Sequence, residues 1–158
     1  MPRSNTWQRL LLPMLLALPL CTLQAANPIT RVVYHLNDGD PMQQFRLLRN
    51  IDNHFEASIP GSLEIKVLVH GEGISLLLLP EAKDRVTQLK PNATASNRKQ
   101  IDQLRTRGVI FIVSGATLKY YGINPASDLY QVSQQEIVPN GLAYISELQT
   151  QGYTYLKP

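Results

Sequence analysis

The feature that most constrains the fold is an apolar run of β-branched and aromatic residues in the second half of the chain. It occupies Gly108–Val113 with the sequence GVIFIV, and Ser114 and Gly115 end it. A strand that is covered on both faces has this composition, as in a parallel sheet between layers of helices. Because ligands of such sheets bind beyond the carboxyl ends of the strands, we expect Ser114 to lie at the mouth of any site.

Strands and helices are predicted to alternate along the rest of the chain. The other predicted strands are Arg31–Leu36, Leu63–Val69, Glu136–Val138 and Tyr153–Leu156. Helices are expected after the N-cap residues Asp40, Ser96 and Asn140. Their predicted core residues are Phe45, Leu47, Leu48, Ile51, Phe55, Ile101, Leu104, Leu142, Ile145 and Leu148. This alternation predicts a three-layer α/β/α sandwich with a flavodoxin-like, mostly parallel sheet.

The amino terminus has the pattern of a secretory signal peptide. Arg3 and Arg9 precede the apolar run Leu10–Leu20, which is shorter than the roughly 20 apolar residues that span a bilayer. A cleavage site is expected after Ala25. We therefore predict that residues 1–25 are a signal peptide and that the protein is periplasmic or secreted. An uncleaved membrane anchor is the alternative.

Cleavage after Ala25 would change the chemistry of the protein. Cys21 is the only cysteine, so the remaining domain, residues 26–158, would have no thiol, no disulfide and no membrane attachment. Lipidation at Cys21 is the alternative, although the large residue before it fits a lipobox poorly. The net charge of +3 would fall close to zero. With no basic stripe and no known motif, the sequence gives no indication of nucleic-acid binding.

Four stretches follow one another in a familiar order and spacing and cover nearly all of the predicted domain. They are Val32–Asp38, Leu63–Val69 with the following Gly71-Glu72-Gly73-Ile74, Gly108–Lys119, and the tail from Val138-Pro139-Asn140-Gly141 to Gly152–Pro158. With these stretches the chain resembles the DsrE/DsrF-like family of small α/β proteins, particularly its secreted members. The resemblance implies a doubly wound sheet and assembly into homo-oligomers, as trimers or hexamers.

The resemblance also implies a chemistry for which this chain lacks the essential atom. Well-understood members carry sulfur as a persulfide on a cysteine, which in many relatives ends the central strand and precedes Gly-Asn-Thr. Here Ser114 occupies that position and Ala116 replaces the asparagine, whereas Gly115 and Thr117 keep the pattern. Since a serine hydroxyl cannot form a persulfide, we do not expect persulfide-carrier activity.

Ser114 could in principle serve as a nucleophile instead. That role requires a base within hydrogen-bond reach, and the Gly-x-Ser-x-Gly elbow is absent from the local sequence Ile112–Ala116. The alternative is that Ser114 caps the helix that follows and lines a pocket. No catalytic residue is therefore assigned.

Two histidines and two carboxylates form a second group of candidate site residues. His35 and His70 lie at or near the ends of the first two predicted strands, which would be neighbours, and Asp38 and Glu72 lie in the adjoining loops. These side chains are types that bind divalent metals such as zinc, although their spacing matches no known metal motif. The alternative is one histidine packed at the rim of the sheet and the other exposed. His54 is expected to be a solvated helix residue.

Glycines and tyrosines complete the candidate residues. Gly71 and Gly73 could bring backbone amides close to an anion, but a tight turn explains them equally. The pairs Tyr120-Tyr121 and Tyr153/Tyr155 suit either subunit contacts or packing against the sheet. Alternation along the last predicted strand puts Tyr153 and Tyr155 on one face. The ligand-pocket candidates are Ser114, Gly115, Thr117, His35, Asp38, His70, Gly71, Glu72 and Gly73.

The favoured function is that of a secreted, non-catalytic protein that binds a small ligand or assists sulfur metabolism. No cofactor is predicted. One alternative is a metal-dependent or other enzyme that uses His35, His70, Asp38 and Glu72. The other is a docking partner for a sulfur-carrier protein.

Overall fold

The structure is a computed structural model that describes residues 28–158, so the predicted signal peptide and Cys21 lie outside the described residues. Its strands are β1 (Thr30–Leu36), β2 (Leu63–Val69), β3 (Ile110–Ser114), β4 (Ile137–Val138) and β5 (Thr154–Leu156). They form one sheet in the order β4-β3-β2-β1-β5, and every pairing is parallel. With helices packed on the sheet, this confirms the predicted α/β/α class.

Five α-helices and three short 3₁₀ segments connect these strands. The helices are α1 (Pro41–Glu56), α2 (Ala95–Thr106), α3 (Gly115–Tyr121), α4 (Pro125–Asp128) and α5 (Gly141–Thr150); the 3₁₀ segments are Gly71–Leu76, Pro80–Ala82 and Gln134–Glu136. Asp40 and Asn140 cap α1 and α5 as predicted, each accepting a bond from a first-turn amide. The predicted cap Ser96 is wrong. Thr94 accepts the Asn97 N–H at 3.2 Å, which places Ser96 inside the first turn of α2.

The two faces of the sheet are covered unequally. The first face carries the larger core, in which alternate residues of β1–β3 pack against α1, α2 and the 3₁₀ segment after β2. The second face carries a smaller core, formed by Val33, Leu68 and Ile112 beneath Ile145 and Leu148 of α5. Because side chains alternate along a strand, the same second face also receives His70, which directly follows β2, and Ser114, which ends β3.

Two residues that were predicted to face the core lie outside it. Phe45 is 39% exposed and Leu142 is 58% exposed. On α1 the buried stripe consists of Gln44, Leu47, Leu48 and Ile51, and Phe45 therefore lies on the outer face. On α5, Gly141 packs beside Leu68 and Ser114, so the buried stripe begins one residue before Leu142.

The strand register brings the carboxyl ends of β1, β2 and β3 level. Leu36 pairs with Val69, which pairs with Val113, so His70 and Ser114 follow directly at the same edge. Within residues 28–158, no helix has the length and apolar character needed to cross a membrane.

Candidate functional site

A cavity of about 410 Å³ opens at the carboxyl ends of β2 and β3. Its lining includes His70, Ser114, Thr117, Tyr120, Tyr121 and Asn140, and none of its lining residues is Asp, Glu, Lys or Arg. The cavity lies where ligands of open α/β sheets bind. Ser114, which was predicted to lie at this edge of the sheet, thus lines a cavity whose volume is typical of small-molecule sites.

Ser114 is held in the wall of this cavity by a contact that the sequence did not indicate. Its side chain is 3% exposed, and its Oγ accepts a hydrogen bond from the Gly141 N–H at the start of α5, 3.2 Å away. Ser114 does occupy the N-cap position of α3, but its side chain makes no capping bond there. Gly115 is closely packed, because an added Cβ would lie 3.2 Å from the Val138 oxygen of β4, tighter than an ordinary Cβ contact.

Ser114 has no hydrogen-bonded base in the part of the chain that the structure describes. Among residues 28–158, its Oγ forms a hydrogen bond with the Gly141 amide and with no imidazole or carboxylate. Nucleophilic catalysis by serine needs such a partner. The arrangement suits a wall of a binding cavity.

The glycines after β2 serve the tight course of the backbone. Gly71 has φ +54°, and its N–H donates to Thr117 Oγ1 at 2.9 Å, which ties the loop to α3. A Cβ on Gly73 would lie 2.5 Å from the Leu36 oxygen. Both positions therefore favour glycine for backbone reasons, as the turn interpretation proposed.

His35 and His70 form a stacked pair across β1 and β2. Their ring centroids are 4.7 Å apart and the ring planes differ by 15°. His35 Nδ1 shares a 2.7 Å hydrogen bond with the Tyr155 hydroxyl on β5. The predicted adjacency of the two histidines is thus present. His35 is only 7% exposed and His70 is half-buried, whereas the packing alternative left one of the two exposed.

The surroundings keep both imidazoles neutral. Burial, the neighbouring His70 and the Lys157 ammonium together lower the pKa of His35 to about 4. Burial and Lys157 also lower the pKa of His70 from its ordinary value. The Nε2 atoms of both rings are buried without a hydrogen-bond partner in the described part of the chain. A positive charge on either ring of this stack would be poorly solvated and would lie close to the Lys157 ammonium. The pair therefore presents neutral, polar edges.

Asp38 and Glu72 lie in the segments that follow β1 and β2, as predicted. Asp38 lines a separate cavity of about 150 Å³ with His35 and Lys157, and its Oδ1 accepts the Asp40 N–H at 2.8 Å. The exposed Glu72 follows β2 and raises the pKa of Tyr121, adding to the effect of burial. No three His, Cys, Asp or Glu side chains converge on a possible metal position in residues 28–158. Metal binding by the histidine pair stays a prediction.

Some contacts of the site had only a partial signal in the sequence. The alternation of Tyr153 and Tyr155 indicated one shared face, and both do lie on the α5 face, but the pairing of β5 with β1 that brings Tyr155 to His35 was not predictable from it. His54 was expected to be solvated, yet it is half-buried and its Nδ1 shares a 3.0 Å hydrogen bond with the Tyr34 hydroxyl.

Comparison with known proteins agrees with this fold. A search of curated proteins found no match to the chain. The model of the DsrE/DsrF-like family matches residues 32–158, which span all five strands but the first two residues of β1. The chain therefore belongs to the DsrE/DsrF-like family.

Proposed function

We propose that this protein is a non-catalytic binding protein that holds a small, uncharged polar ligand at the carboxyl ends of β2 and β3. The observation that carries the proposal is the cavity of about 410 Å³, whose lining has no Asp, Glu, Lys or Arg. A charged ligand would lose its hydration there without gaining an opposite charge. A neutral ligand would lose less hydration free energy and could still form hydrogen bonds with the polar groups of the lining.

The polar groups of the cavity suit such a ligand. Tyr120 and Tyr121 place their rings edge to face at 4.8 Å, and the largely exposed Tyr120 stands at the opening. Asn140 and the hydroxyl proton of Ser114 supply hydrogen-bonding groups. Aromatic walls with a few placed polar groups are typical of small-molecule sites.

The family supports a role near sulfur metabolism without the sulfur-carrying step. Because Ser114 stands where a persulfide carrier needs a thiol, we propose an accessory protein, secreted to the periplasm and assembled as a homo-oligomer. A sulfur-carrier protein is the proposed partner within that pathway. These proposals share one expectation, which is that the cavity binds its ligand without changing it.

The experiment that tests this function is native mass spectrometry of the protein purified from its source. We expect a molecule to accompany the chain and to be released unchanged on denaturation, with no metal and no covalent adduct. A covalently modified chain, or a molecule converted on incubation, would contradict the proposal. The subunit mass would also locate the cleavage site expected after Ala25, and the assembly mass would give the oligomer.

Filling the cavity should abolish this binding. In Ala116→Trp an indole would extend from the first turn of α3, where the exposed Ala116 lines the cavity. We expect ligand affinity to fall at least about tenfold, the effect of losing about 1.4 kcal/mol of binding free energy. Titration calorimetry with the released ligand measures this.

The matched control for that variant is Ala126→Trp. Ala126 is an exposed alanine in α4 and lies outside the cavity lining. It should bind as the parent does. Equal loss in both variants would point to a general effect of the added indole, and unchanged binding in Ala116→Trp would place the ligand elsewhere.

A further inference from the structure

The outer face of α1 carries an exposed stripe of large side chains. Met42, Phe45, Arg46, Arg49 and Asn53 recur at helical spacings of three and four, opposite the buried stripe. Met42 is 53% exposed and Phe45 is 39% exposed. Single exposed apolar residues are ordinary, but these two border one depression of about 320 Å³ together with both arginines.

The depression is positively charged, since two arginines and no carboxylate line it. Arg46 and Arg49 form no ion pair with any carboxylate of residues 28–158. The Arg49 guanidinium lies 5.8 Å above the Phe45 ring centroid, which holds an apolar and a cationic group side by side. The nearest acidic residue of α1 on this side, Asp52, already accepts a hydrogen bond from Arg107 at 2.6 Å.

A narrower cleft of about 70 Å³ lies between α1 and α2, and Arg49 lines both this cleft and the depression. Asp52 of α1 and Gln100 and Gln103 of α2 also border the cleft. Gln100 Oε1 is buried in the described structure without a hydrogen-bond donor. An unpaired buried acceptor costs free energy that a donor from a bound chain would recover.

We propose that this surface of α1 and α2, defined by Met42, Phe45, Arg46, Arg49 and Gln100, docks an acidic segment of a partner protein that carries an apolar side chain. The apolar side chain would enter the depression beside Phe45. Carboxylates of the segment would pair with the two arginines, and a backbone or side-chain N–H would reach Gln100 Oε1. A flat lipid surface would touch the rim of the depression without filling it, which favours a peptide.

Selection from a random peptide-display library on the immobilised protein tests the proposal. We expect the enriched peptides to combine Asp or Glu with Leu, Ile or Phe. The top peptide, labelled with fluorescein, should bind the parent and should lose about tenfold or more in affinity with Arg46→Glu/Arg49→Glu. The matched control Lys83→Glu/Lys90→Glu, at two exposed lysines outside this surface, should bind as the parent does.

Several results would overturn the proposal. They are enrichment without acidic residues, no enrichment, or equal binding by Arg46→Glu/Arg49→Glu and the parent. Loss in both double variants would reveal unspecific attraction between charges and would also count against it. Sedimentation with phosphatidylglycerol vesicles that depends on the two arginines would assign the surface to lipid, and arginine-dependent self-association would assign it to a second copy. The milder Arg46→Gln/Arg49→Gln, with its circular dichroism spectrum, distinguishes lost docking from lost folding.

Discussion

Replacing Ser114 by cysteine should convert this chain into an acceptor of sulfane sulfur. The new Sγ would stand where Ser114 Oγ now accepts the Gly141 N–H, and that donor would favour a thiolate. The adjoining cavity of about 410 Å³ leaves room for one more sulfur atom. The thiolate would attack a polysulfide, bond to its terminal sulfur and release a polysulfide that is one sulfur shorter.

Intact-protein mass spectrometry measures this gain, with Cys21→Ala as the background so that no other thiol is present. Ser114→Cys should gain one sulfur per chain, removable by dithiothreitol, and the background should gain none. Ser146→Cys, an exposed position on α5, gives the rate of an ordinary surface thiol.

Uptake by Ser114→Cys should be at least about tenfold faster than by Ser146→Cys near neutral pH, because a larger thiolate fraction reacts. Equal rates for Ser114→Cys and Ser146→Cys would mean that the cavity no longer activates a thiol at this position. The double variant Ser114→Cys/Ala116→Asn, which also restores the family asparagine, would then show whether Ala116 is a second reason for the missing activity.

The main features of the fold were predictable because they depend on local chemistry. The apolar run before Ser114 and the strand Leu63–Val69 contain their own structural signal, and Asp40 marks the start of α1 unambiguously. The orientation of each helix was less predictable. Phe45 fits an apolar stripe by spacing alone, but a stripe through the polar Gln44 is buried instead, because Gln44 Nε2 donates to Ser75 Oγ at 2.7 Å. A buried hydrogen-bonded glutamine has no signature in hydropathy.

The site was predictable in position and less so in detail. Parallel strands end at one edge, so the sequence could place His35, His70 and Ser114 there together. The contacts that define their state come from distant parts of the chain. Tyr155 reaches His35 only because β5 joins the sheet beside β1, and Gly141 reaches Ser114 only because α5 starts above β3.

Acidification should destabilise the protein through the histidine pair. In the unfolded chain His35 takes up a proton near pH 6.5, but in the folded chain its pKa is about 4, since burial, His70 and Lys157 oppose the charge. Between these two values the unfolded state binds more protons, so the free energy of unfolding falls as the pH falls. The loss is absent above pH 6.5 and complete near pH 4, where it reaches about 3 kcal/mol. His70, whose pKa is also lowered, adds to it.

Urea unfolding at a series of pH values measures this loss, and His35→Asn removes its source. The asparagine side chain can still form a hydrogen bond with the Tyr155 hydroxyl. The loss in free energy of unfolding that is independent of pH should therefore be small compared with the change in its pH dependence. We expect the parent to lose about 3 kcal/mol more than His35→Asn between pH 6.5 and 4. His54→Asn, which removes a histidine outside the stacked pair, controls for the loss of an imidazole as such. All three proteins share the carboxylates that titrate below pH 5. Only the difference between the proteins in the loss of free energy of unfolding therefore reports on His35. Parallel curves for the parent and His35→Asn would show that the folded protein accepts a proton at His35 readily, and would contradict this prediction.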